Sequence, residues 1–156
     1  MIAEEVFRSV LGRFASGVTV VTATSDGGDC GMTVSAFCSL SLSPPLVLLC
    51  IDHAARMHTI LGSATHFAVN ILEESQEPIA RRCSDPDIDR LDGIGFRRGV
   101  TGAPVLSEVL ATLECRKQDT YSGGDHTIFT GEVTAAAMTE GKPLLYFRGG
   151  YTQLCP

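Results

Sequence analysis

Two glycine-aspartate turns, each flanked by short apolar or alternating stretches, constrain this chain more than any other feature. Asp26-Gly27-Gly28-Asp29 separates residues 18–23 from 30–39, and Ser122-Gly123-Gly124-Asp125 separates residues 110–117 from 126–137. Connections this short join antiparallel strands, because a parallel crossover needs a dozen or more residues. Residues 46–51, following Pro44-Pro45, read as a buried strand, and the runs at 67–72 and 144–147 are short and strand-like. Six or seven strands with hairpin connections predict a mainly β domain whose sheet closes into a barrel, and argue against a parallel α/β sheet.

Helices are expected only at the periphery. Val6, Phe7, Val10, Leu11 and Phe14 recur at helical spacing and predict an amphipathic helix over 3–15 that ends near Gly17. Met57, Ile60 and Leu61 predict another over 54–62. Ser75 is the expected N-cap of a third, which carries Ile79 and Cys83, with Ile88 and Leu91 adding a turn beyond Pro86. The glycine- and arginine-rich stretch 92–104 reads as a loop.

At 156 residues the chain fits one domain, burying roughly two-thirds of its unfolded surface, with no room for a separate cofactor domain. The net charge of -6 and the scattering of the 12 basic residues argue against nucleic acid or an anionic membrane surface as partner. Apolar runs as short as 46–51 cannot span a bilayer, and Glu4 and Glu5 stand where a signal sequence would be basic, so a cytoplasmic location is expected. The cysteines at 30, 38, 50, 83, 115 and 155 show no C-x-x-C pair, and Cys38, Cys50 and Cys115 lie in segments where a thiol packs as a small hydrophobe.

Residues 31–51 carry the chemistry. Thr33, Ser35, Ser39, Ser41 and Ser43 place a hydroxyl at nearly every second position before the apolar strand begins. Hydroxyls can donate to a phosphate or a ring carbonyl without the desolvation cost of a buried charge. Slim side chains also let a flat ring approach the backbone. Gly93-Ile94-Gly95-Phe96-Arg97-Arg98-Gly99 is not a dinucleotide loop, since neither a preceding strand nor a following helix frames it.

The hydroxyl-rich segment resembles the flavin-binding segment of the flavin reductase-like family, the small partners of two-component flavin monooxygenases. Residues 7–22, 67–72, 124–133 and 143–151 resemble the same family in its usual order, so the resemblance covers nearly the whole chain. It implies a split β-barrel, Greek-key-like, that dimerises with flavin held near the dimer interface. It also implies NADH or NADPH as hydride donor, FAD or FMN as acceptor, and a monooxygenase that receives the reduced flavin. The protein then positions two rings and supplies no nucleophile.

By this resemblance the flavin would be held by Thr33, Val34, Ser35, Ser39 and Leu40, by Cys50, Ile51 and Asp52, and by the strand Phe67, Ala68, Val69 and Asn70. Arg56, Arg81 and Arg82 are the candidates for its phosphate. Cys83 stands where the family often has Phe. His126 would face the nicotinamide, by positioning and not by proton transfer, with Arg148 and Tyr151 in the same region; the alternative for His126 is a turn histidine satisfied by Asp125. His53, His58 and His66 have no ligand-like companions and read as surface residues. Two other functions fit the composition: a flavin-binding or electron-transfer protein that retains FMN without nicotinamide turnover, and a barrel used only for protein interaction. The second would not need the hydroxyl row.

Overall fold

The computed structural model describes residues 2–26, 28–87 and 91–155. A short helix α1 (Glu4–Leu11) leads into β1 (Ser16–Gly17), β2 (Thr19–Ser25), β3 (Gly28–Val34), β4 (Phe37–Leu42) and β5 (Pro45–Asp52). Helix α2 (Arg56–Ser63), strand β6 (His66–Ile71) and helix α3 (Glu77–Ser84) follow. The chain ends with β7 (Phe96–Arg98), β8 (Pro104–Leu106), the long β9 (Ala111–Gly123) and β10 (His126–Met138), then β11 (Leu145–Phe147) and β12 (Gly150–Thr152).

Seven strands form one sheet in the order β3-β2-β6-β9-β10-β5-β4, and every neighbouring pair is antiparallel. The two edges, β3 and β4, are consecutive in the chain and share no ladder, which is the split in the barrel. Residues 30–39 therefore do not form one strand as expected. β3 pairs with β2 and β4 with β5, at opposite ends of the strand order, so the chain must turn at Ser35-Ala36. The expected hydroxyl row is broken at that corner.

Other boundaries move for local reasons. α1 stops at Leu11, because Gly12 caps it through an N–H that reaches Arg8 and Val10 carbonyls. Ser75 is not a helix cap. Glu73 is, accepting from the Ser75 N–H while Gln76 reaches back to the Glu73 N–H, so a single 3₁₀ turn (Glu74–Gln76) precedes α3. The extra turn expected at Ile88 lies outside the described residues, as does Gly27 of the first turn. The expected loop at 92–104 contains the hairpin of β7 and β8, and β12 is too short to show a period.

The Gly-containing turns act as read. Gly124 adopts φ +75°, a conformation that strains residues with a Cβ, and lets β9 return as β10. The β7–β8 hairpin is tied down by Glu114, which is only 5% exposed and accepts from the Thr101 N–H at 2.8 Å and its hydroxyl at 2.7 Å. Burial works to raise the Glu114 pKa. The bonds from Thr101 and Val100 and the charge of Arg97 outweigh it, and the carboxyl titrates below its ordinary 4.5.

Two apolar clusters explain where the barrel wall is covered. Val21, Ala23, Leu49, Ile51, Phe67, Val69 and Phe129 fill the interior. A second cluster, with Val18, Val20, Ala80, Cys83 and Leu106, lies outside β2 and joins that strand to α3 and the β7–β8 hairpin. β2 and β6 are thus buried on both faces, whereas β5 and β10 are not.

Candidate functional site

On β5 the burial alternates, as a strand with one packed face requires. Val47, Leu49 and Ile51 point into the barrel, and Leu48, Cys50 and Asp52 point out. Cys50 pairs with Ile128 of β10 and Asp52 with His126, and directly paired residues share a face. On the other side the Cys50 N–H donates to Ala36 O at 3.0 Å, and Cys38 lies opposite Leu48. Ala36, Cys38, Leu48 and Cys50 thus form an apolar floor. Phe7, Leu11 and Phe14 of α1 and the turn after it stand across from this floor, leaving a cleft of about 710 Å³.

Ser35 and Tyr146 close one end of the cleft and also line a smaller cavity of about 190 Å³ with Thr33, Ser84 and Tyr151. Five hydroxyls converge there, but not all are available. Thr33 Oγ1 donates to Ala80 O at 2.7 Å, and Ser84 Oγ to the same carbonyl at 2.6 Å. The Ser35 hydroxyl makes no hydrogen bond among the described residues. Tyr151 is fixed by an edge contact with Tyr146, ring centroids 5.5 Å apart, and by the Arg81 guanidinium 5.1 Å over its ring. An apolar slot beside a hydroxyl-lined end fits a flat heteroaromatic group bearing polar substituents.

His126 lies on the same outward face as Cys50, one outward position further along. Its Nδ1 donates to Asp125 Oδ1 at 2.7 Å, which fixes the ring and leaves Nε2 for another partner. That bond, followed by the charge of the imidazole, holds the Asp125 carboxyl below the usual carboxylate range. The local pairing expected of a turn histidine is therefore present, together with the outward placement. Asp52 Oδ1 accepts from the Ala54 N–H at 2.8 Å and so shapes the turn into α2.

Several expected residues are not in the groove. Phe67, Ala68, Val69 and Asn70 are fully buried: Phe67 and Val69 point into the interior cluster, and Ala68 and Asn70 lie under the β7–β8 hairpin. Asn70 donates to Val20 O and Thr22 Oγ1 and accepts from the Leu106 N–H, so its amide is occupied in holding the hairpin to the barrel. Val34 and Ile51 belong to the interior cluster. Ser39 is exposed just before a bulge in β4 and does not line the cleft, and Leu40 lines a separate depression with Pro44 and Tyr121. Arg56 is exposed at the start of α2, Arg81 pairs with Glu77 at 2.6 Å, and Arg82 lies 3.9 Å from Asp92. Of the flavin set, Thr33, Ser35 and Cys50 line the groove. Arg81 reaches it only through Tyr151.

His53 and His58 converge on one hydroxyl. Their Nε2 atoms lie 3.2 and 2.8 Å from Thr127 Oγ1, and the two rings touch edge to face. Arg148 occupies the β11–β12 turn at φ +54°, with its N–H donating to Gly12 O at 2.8 Å. The sequence reading missed Tyr146, Leu48 and the α1 wall. The alternation along β5 was the available signal for Leu48.

The groove holds no acid-base pair and no activated nucleophile among the described residues. Burial, and then the neighbouring Cys38, push the Cys50 thiol above its ordinary 9.0, so it stays protonated at neutral pH. No group of three or more His, Cys, Asp or Glu among the described residues is arranged to hold a metal ion. No helix among them is long and apolar enough to cross a membrane.

Comparison with known proteins agrees with this geometry. The chain is 42% identical over 150 residues, 96% of its length and 80% of the relative's, to the reductase component of 4-nitrophenol 4-monooxygenase/4-nitrocatechol 2-monooxygenase from Rhodococcus opacus. It is 41% identical over 145 residues, 93% of its length and 83% of the relative's, to FMN reductase (NADH) SmoA of Agrobacterium fabrum. A relative from Rhizobium meliloti is longer, and the chain spans 47% of it. The fold matches the Streptomyces globisporus C-1027 NADH:FAD oxidoreductase SgcE6, solved in complex with NAD and FAD fragments, with TM-score 0.93 and 41% identity over 98% of this chain and 94% of that one. The flavin reductase like domain matches residues 11–155, and the chain belongs to that family.

Proposed function

We propose that the protein is an NADH-dependent flavin reductase that reduces FAD or FMN and passes the reduced flavin to a separate monooxygenase. The observation that carries this reading is the groove on the uncovered face of β5: an apolar slot with a hydroxyl-lined end and no catalytic nucleophile or acid-base pair. Hydride transfer from a reduced nicotinamide to a flavin ring takes place between the two bound groups, so the protein contributes binding and alignment. Ser35 offers the unpaired hydroxyl at the polar end. Cys38, Leu48 and Cys50 give an apolar floor, and His126, its ring fixed by Asp125, offers Nε2 to the nicotinamide side.

The reading extends to a homodimer. Every residue of α1 is exposed in the single chain, with Val10 at 59% and Phe14 just beyond at 84%. A helix of eight residues is marginal in water on its own and needs its apolar stripe buried. A second copy laid over α1 would bury that stripe and deepen the groove.

Steady-state oxidation of NADH and NADPH, with riboflavin, FMN and FAD offered in turn, tests the activity. Rapid oxidation that depends on added flavin is expected. Tightly retained FMN without turnover would replace this reading with an electron-transfer protein. Light scattering tests the dimer, and a monomer that still binds flavin with full affinity would refute an interface site.

A further inference from the structure

Three of the 12 basic residues, scattered in the sequence of a chain with net charge -6, meet in space. Arg8, Arg13 and Arg148 line one depression of about 330 Å³ with Ser9, Gly12 and Gly149. No acidic side chain among the described residues lines it. Arg8 pairs with Glu4 at 2.7 Å, both side chains exposed, whereas Arg13 and Arg148 make no ion pair or side-chain hydrogen bond among the described residues. Basic residues at a helix C-terminus are ordinary, which accounts for Arg8 and Arg13. It does not account for Arg148, which arrives from the far end of the chain. The Arg148 N–H donates to Gly12 O, and the residue is held at φ +54°, where glycine is favoured and arginine is strained.

The depression is continuous with the groove, since Arg8, Gly12 and Gly149 line both it and the 710 Å³ cleft. The hydroxyl-lined cavity, the apolar cleft and the cationic depression are therefore contiguous. We infer that Arg8, Arg13 and Arg148 form a phosphoryl-binding compartment, which takes a phosphate group of a nucleotide whose ring lies in the cleft. Guanidinium forks match phosphate oxygens two at a time, and two arginines without acidic partners make them available for that contact. The inference rests on the proposed function for the ligand in the cleft. The phosphate can come from the flavin nucleotide or from the dinucleotide donor, and the two sources give different results.

The first arm is independent of turnover. Calorimetry with inorganic pyrophosphate should detect binding to the wild type that weakens about ten-fold or more in Arg13→Gln and in Arg148→Gly, since a charge-assisted contact is lost in each. Glycine suits the positive φ at 148, so that variant should fold at least as well as the parent. Arg97→Gln, a cation outside the groove, should bind pyrophosphate as the parent does. The second arm locates the source. If the flavin supplies the phosphate, the preference for FMN over riboflavin in equilibrium binding collapses when Arg13→Gln and Arg148→Gly are combined. If the dinucleotide supplies it, KM for NADH rises while flavin dissociation constants hold. Wild-type pyrophosphate binding retained in both single variants, or none in the parent, would overturn the compartment, and an acidic protein segment would then be the remaining anion for these arginines. A parent that binds pyrophosphate but never oxidises NADH would refute the proposed function and leave the compartment standing.

Discussion

Thr33 and Ser35 sit two residues apart at the same end of the groove, yet the structure gives their hydroxyls opposite roles. Thr33 Oγ1 is spent on Ala80 O at 2.7 Å, tying β3 to α3, whereas Ser35 is unpaired among the described residues and lines both the hydroxyl cavity and the cleft. Thr33→Val removes a part-buried hydrogen bond at nearly constant volume. Such a bond contributes about 0.5–1.5 kcal/mol, and the lower half of that range applies because Ser84 Oγ still satisfies the Ala80 carbonyl at 2.6 Å. For a chain of this length a loss of about 1 kcal/mol lowers the melting temperature by about 2–4 °C. Flavin affinity should change little. Ser35→Ala should behave in the reverse way: unfolding by urea unchanged, and the dissociation constant for oxidised flavin raised about two- to thirteen-fold, the equivalent of one hydrogen bond.

Urea melts and flavin fluorescence titrations on both variants, with Thr33→Ser as the rescue, separate the roles. A Thr33→Val protein of parental stability that binds flavin poorly would mean that the hydroxyl leaves Ala80 to meet the ligand. A Ser35→Ala protein with parental affinity would remove Ser35 from the site altogether.

Three further outcomes follow from other parts of the structure. A Cβ added at Gly131 would meet the Phe67 ring at 2.5 Å and Cys115 Cβ at 3.0 Å, both inside the core, so Gly131→Ala should cost about 1–3 kcal/mol in a urea melt; a neutral result would show that the Phe67 ring can retreat. Glu114 titrates below 4.5 when folded, so its contribution is full above the unfolded value and is lost as pH falls through the folded one; the melting-temperature gap between wild type and Glu114→Gln should be widest near neutrality and narrow below about pH 4.5. His126→Ala should raise KM for NADH and slow flavin reduction in stopped flow without changing oxidised-flavin affinity, and Asp125→Ala, which frees the ring, should reproduce part of that defect; parental reduction kinetics in His126→Ala would return it to the role of a turn histidine.

The strand content was legible because turns and alternation are local. The Gly124 turn announces β9 and β10, and the period along β5 announces one buried face. The site was less legible, because contact with a ligand depends on what fails to cover a residue. Residues 46–51 and 67–71 both read as short, largely apolar strands, and the resemblance places flavin contacts on both. Only tertiary structure separates them: the β7–β8 hairpin buries the outer face of β6, down to an Asn70 amide held by three partners, and nothing comparable among the described residues lies over Cys50. The same reasoning applies to charge. Arg8 and Arg13 look like the ordinary basic end of a helix until a single backbone bond, Arg148 N–H to Gly12 O, brings a third arginine against them. Each of these features depends on a contact between segments distant in the chain, and neither periodicity nor composition carries information about such a contact.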